Sequence, residues 1–296
     1  MVGSEPSLEQ ARASGLPNEA LGLYTQLDLP LTGKEAPKDL GPRDHEAAAY
    51  LWRAGSYRCG ITAYLTFFLL GDFINHAGAV RPERFGRLDK LARSFDYTDR
   101  FIKRVTNSGR HPSGGLASPE VVRLLRTIQS AHDRVRVPHW MMVHFGFTLL
   151  EQLEADLAET DPVMRHHHLR YMARAYRLMG LPFSDDRELM QALARRIEER
   201  HARWEPLAAS YGWRLLVLGQ VMGVSPDQEN LAPLMPATVR PLFRERFEAM
   251  APATPARLMA TSLSYGASSL RKWRNPSPGP RPTWAPDFAS RHPQPT

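Results

Sequence analysis

A histidine embedded in an apolar helical stripe carries the strongest chemical signal in this chain. Ser118-Pro119-Glu120 reads as a helix start, with a hydroxyl N-cap, a proline where no N–H is needed and an acid in the first turn. Val121, Leu124, Leu125, Ile128, Ala131 and Val135 then recur at helical spacing, with Arg123, Arg126, Ser130, Asp133 and Arg134 opposite. His132 falls inside the apolar arc, one turn beyond Ile128. An inward imidazole needs a partner for each ring nitrogen, since an unsatisfied buried polar group costs roughly 1–3 kcal/mol. Two answers stand open: core hydrogen bonding, or a metal or haem iron.

Other clusters of reactive side chains read as structure. Arg93, Asp96, Tyr97 and Thr98 are close enough in sequence to orient a polar ligand. Their spacing equally suits a helix start, with Asp96 or Thr98 as cap and Arg93 ending the helix before. Glu198-x-x-His201 has di-iron spacing but lacks a second pair, and it sits among Arg195, Arg196 and Arg200, so a solvated face is expected. In His166-His167-His168 successive side chains diverge by about 100°, so the three cannot easily share an ion, and Arg165 and Arg170 flank them. A surface run is expected there. There is no Gly-rich phosphate loop, no cysteine pair and no Gly-x-Ser-x-Gly elbow.

These residues need helices to position them, and helical periods dominate. The first 42 residues, punctuated by Pro17, Pro30, Pro37 and Pro42, read as an irregular arm. Helices are expected over Asp44–Ala54, Tyr57–Ala79, Pro82–Arg93 and Asp96–Thr106, then a glycine-bearing loop from Asn107 to Ala117. Val137-Pro138 breaks the His132 helix, and the next runs with Met142, Val143, Gly146, Leu149, Leu150 and Leu153 inward. His139 falls on its apolar face and His144 nearer the polar edge. Asp161-Pro162 opens another, ended by Gly180 and Pro182; Ser184-Asp185-Asp186 caps one reaching about Arg203. Helices at Leu207–Met222, Ala237–Met250 and from Pro255 to about Trp273 follow. Residues 275–296 are proline-rich and expected to be disordered or loosely draped. The expected fold is one all-α helical-bundle domain over residues 43–274, between the arm and the tail.

Bulk properties narrow the partners. Of 296 residues, 43% are hydrophobic and 23% charged, enough apolar surface for a sizeable core. The net charge of +7 is spread along helix faces without a compact basic block, so no nucleic-acid partner is expected. It suits carboxylate or propionate groups on a small ligand. A single cysteine, Cys59, excludes an internal disulfide framework and fits a cytoplasmic setting. No signal peptide is visible in the first residues, and the most apolar run, Cys59 to Gly71, is too short to cross a bilayer.

The order of segments resembles the latex-clearing-protein / MpaB-type oxygenase family. The resemblance rests on Arg93-Ser94-Phe95-Asp96-Tyr97-Thr98-Asp99-Arg100, a glycine-rich loop, and Arg126 to Arg136. In that second segment His132, Val135 and Arg136 reproduce the family's His-x-x-Val-Arg element. Pro138 with Thr148-Leu149-Leu150, Tyr176 to Pro182, and Met235-Pro236 with Val239 to Leu242 look similar as well. The similarity covers roughly Tyr57 to Leu270.

What it implies is a helical domain holding haem b, with His132 as proximal iron ligand. An Arg-x-x-x-Thr element would lie near the open iron face. Counting back from Thr98 places Ser94 where the family has arginine, with Arg93 one residue early, and puts Tyr97 at the position of the acid or lysine. An altered distal pocket is therefore expected, built from Arg93, Asp96, Tyr97 and Thr98. Arg126 and Arg136 are candidates to pair with the propionates. The implied activity is a haem-dependent oxygenase acting with dioxygen on a small hydrophobic compound, isoprenoid or otherwise secondary-metabolic. The pocket would form between Tyr64–Phe68 and Trp140–Phe147. Two other classes remain beside it: a haem-free helical binding module, and a basic adaptor for an acidic macromolecule.

Overall fold

The computed structural model describes residues 39–54, 57–70, 88–134, 137–203, 206–221, 224, 227–250 and 281–285. Every regular element among them is helical. In chain order these are α1 Pro42–Ala54, α2 Tyr57–Leu69, α3 Leu88–Thr106, α4 Pro119–Arg134, α5 His139–Asp156 and α6 Pro162–Leu178. They continue as α7 Arg187–His201, α8 Pro206–Val221, the short α9 Gln228–Leu231 with a 3-10 turn Ala232–Leu234, and α10 Arg240–Met250. The chain is an all-α single domain.

Helix ends follow the local chemistry. Asp161 Oδ1 accepts from the N–H of Val163 at 2.9 Å, with Pro162 at the first helical position of α6. Asp186 Oδ1 accepts from Leu189 at 3.2 Å and opens α7. Gly180, at φ +79°, takes the left-handed backbone that ends α6, a conformation that favours glycine.

The segment 88–106 is one helix, where a break between Arg93 and Asp96 was expected. No proline or glycine interrupts it, and Phe101, Ile102 and Val105 extend one stripe while Arg100, Lys103 and Arg104 face away. Neither Asp96 nor Thr98 is therefore a cap. α2 is described only to Leu69 of the expected Tyr57–Ala79. The remainder of that helix, residues 82–87, the arm up to residue 38 and the expected helix from Pro255 to Trp273 lie outside the described residues. From the tail only residues 281–285 are described. There Arg281 pairs with Glu159 at 2.8 Å and Ala285 packs beside Ala47 and Met164.

Two apolar clusters form the interior. One joins α1, α3, α4, α5, α6 and α7 through Leu51, Val105, Leu125, Phe147, Tyr171 and Leu193. The other joins α2, α8 and the 3-10 turn to α10 through Ile61, Leu65, Leu215, Met235 and Phe243. Trp140 and Ala202 pack against both. α5 is central, packed on α2, α6 and α7.

Gly146 on α5 is required by close approach. A Cβ there would sit 1.9 Å from Tyr176 Oη and 2.3 Å from its Cζ, and that ring is wedged in the core. Gly146→Ala is expected to cost about 1–3 kcal/mol through overpacking. A thermal melt unchanged from wild type would contradict this packing.

Candidate functional site

An interior cavity of about 670 Å³ lies among α1 to α6, within the usual 300–1,000 Å³ of small-molecule sites. Its walls are mainly apolar: Leu51, Phe67, Phe101, Ile128, Phe145 and Leu149 are representative. Into it project His132 from α4 and Arg93, Tyr97 and Thr98 from α3. The α3 residues lie far from His132 in sequence, and the fold brings the two segments to one space.

His132 is partly buried, and its Nδ1 is buried without a hydrogen-bond partner. Burial lowers its pKa below the ordinary 6.5, against a smaller opposing effect from the charge of Asp133. The ring is thus held neutral, the form that binds a metal. The same shift sets an acid sensitivity. The folded ring takes a proton less readily than the unfolded one, so its contribution to stability is complete above pH 6.5 and is lost as pH falls through the folded value. His45 and His166 are lowered by burial and act in the same direction. Urea midpoints at about pH 7.5 and about pH 5.5 should fall further for the wild type than for His132→Gln. Equal falls would remove His132 as a source of the sensitivity.

The α3 residues divide by depth. Tyr97 is 56% exposed while lining the cavity, so it stands at the mouth, with exposed Arg93 one helical turn away. Thr98 is partly buried, its Oγ1 3.4 Å from Tyr64 Oη. Tyr64 in turn packs on Phe95 and Phe145 at ring-centroid distances of 4.5 and 5.3 Å. Asp96 lies on α3, but its side chain falls outside the described residues, as does Arg136 altogether. Arg126 is exposed and does not line the cavity. Arg93 is the arginine that does.

His144, His168 and His201 sit differently from their expected places. Of His166, His167 and His168, the first is exposed, the second pairs with Asp44 at 2.7 Å, and the third is buried and lines the cavity. The expected divergence of neighbours holds, but it turns one ring inward. Met164, His168, Tyr171 and Ala175 mark the helical stripe that could have shown this. His144, expected near a polar edge, is 1% exposed on the side chain, with its Nε2 2.7 Å from Glu198 Oε1. Glu198, expected in solvent, is thus part of a buried pair that also accepts from Thr238. His201 stacks on Trp140 at 4.0 Å.

Among the described residues no group of three or more His, Cys, Asp or Glu could hold a metal ion. One imidazole is enough for a metal whose other ligands come from a macrocycle. No described helix is long and apolar enough to cross a membrane. What fold and site define is an all-α domain with an apolar interior cavity, open at Arg93 and Tyr97. Comparison with protein families, curated proteins and solved structures gives no match to this chain.

Proposed function

We propose that the chain is a haem b-dependent oxygenase acting with dioxygen on a small apolar compound. The observation that carries this reading is the shared cavity of His132 with Arg93, Tyr97 and Thr98. The sequence resemblance to latex-clearing-protein / MpaB-type oxygenases pairs the same two segments. The residues fit a haem: a neutral ring with an unpartnered nitrogen, apolar walls and an arginine at the mouth. His132 would hold the iron, and Arg93 would meet a propionate. Haem, when bound, supplies the oxygen chemistry.

The chain's own groups do the rest. Phe67, Phe101, Ile128 and Phe145 exclude water and select an apolar substrate. Thr98 and Tyr64 place two hydroxyls within the cavity, where they can hold or pass a proton. Tyr97 and Arg93 control access at the mouth. Titration of the purified chain with haemin tests the reading. One Soret-shifted haem per chain is expected, and a spectrum identical to free haemin would overturn it.

A second reading, a haem-free binder of an apolar small molecule, draws on one further observation. A second unpartnered imidazole nitrogen, on His168, faces the same cavity.

A further inference from the structure

The cavity has two poles. Tyr64, Thr98 and Phe145 meet at one. At the other, Tyr171 Oη donates to the Val105 carbonyl at 2.7 Å, and His168 meets Glu154. At about 1.5 Å per helical residue, Thr98 to Val105 on α3 spans about 10 Å and Phe145 to Glu154 on α5 about 13 Å.

His168 is 2% exposed, and its Nε2 has no hydrogen-bond partner. Its Nδ1 stands 3.1 Å from Glu154 Oε1. That carboxylate, also 2% exposed, accepts from Arg187 Nη2 at 2.9 Å and Arg165 Nε at 3.0 Å. Burial by itself would raise the Glu154 carboxyl, but the His168 hydrogen bond and the Arg187 charge outweigh it and hold the group below its ordinary value. An ionised carboxylate only accepts, so Nδ1 points a ring proton at Glu154 and Nε2 is the nitrogen left for a ligand. Two hydroxyls of the cavity lining are already committed. Tyr171 donates to Val105, and Thr106 Oγ1 donates to the Ile102 carbonyl at 2.8 Å. A buried polar nitrogen of this kind is costly unless a ligand supplies a partner.

We infer that His168 offers Nε2 as an acceptor and docks the hydroxyl terminus of an elongated apolar alcohol, whose hydrocarbon body lies along α3 toward Thr98 and Tyr64. One lone pair takes one O–H donor. A carboxylate would bring negative charge toward Glu154, and an ether or hydrocarbon would leave Nε2 unmet. The inference rests on the cavity being a small-molecule site, and holds under either reading of the function.

Calorimetric titration of the full purified chain with octanol and with methyl heptyl ether, equal in length but lacking a donor, tests it. Octanol is expected to bind about tenfold more tightly. In His168→Phe that preference should vanish with the ether still bound, and in His132→Ala it should persist. Equal affinities in the wild type need no variant to interpret and would overturn the inference while leaving the cavity reading in place. Binding of neither compound would overturn both. Haem uptake that survives His132→Ala and is lost in His168→Phe would also overturn it, because Nε2 would then belong to iron. A chain that takes up no haem but prefers octanol supports the inference and removes the haem reading alone.

Discussion

His132→Ala should abolish haem uptake while leaving the helical fold intact. The imidazole lines the cavity with its Nδ1 unpartnered, and burial keeps its ring neutral. Removing a group that merely supports a metal ligand costs 10–100-fold in affinity, so loss of the ligand itself should exceed about 100-fold. Far-ultraviolet circular dichroism separates this from unfolding. The ring sits in the last turn of α4, and truncating it removes no hydrogen bond from Nδ1, so the helix content should stay unchanged. Undiminished haem binding would show that the buried nitrogen has another purpose.

The second large effect concerns stability. Glu154→Ala should destabilise the chain by about 3–5 kcal/mol, the range for removing one partner of a buried ion pair. Glu154 gathers His168, Arg165 and Arg187, and so ties the end of α5 to α6 and α7. Without it Arg187 keeps Glu151 at 3.5 Å, and Arg165 can turn to water, which places the effect toward the lower end. His168 has neither escape, being buried with both ring nitrogens then unpartnered. Urea denaturation reads the loss directly. A change below about 1 kcal/mol would mean that this network contributes little beyond an exposed ion pair.

How far the site was legible depends on where each residue finds its partner. Caps are local, so Asp161-Pro162, Asp186 and Gly180 announce their helix ends in sequence, and the structure places them there. The apolar stripe of α4 is local as well, and His132 does line the cavity it points toward. Asp96 and Thr98 are capping residue types, but packing of Phe101, Ile102 and Val105 favours one continuous helix through them. Burial of charged and polar pairs was not legible. Glu198 looked solvated among arginines because its partner His144 lies 54 residues earlier. Glu154 meets His168, Arg165 and Arg187 from two other helices, and only the fold brings them together. In sequence, Tyr64 belongs to an apolar wall. Its hydroxyl acquires meaning only when α3 places Thr98 3.4 Å away.

A crystal of the haem-loaded chain, examined at the iron absorption edge, tests the central claim most directly. The account predicts one anomalous peak inside the cavity beside a ring nitrogen of His132. A peak beside His168, or one outside the cavity, would contradict it.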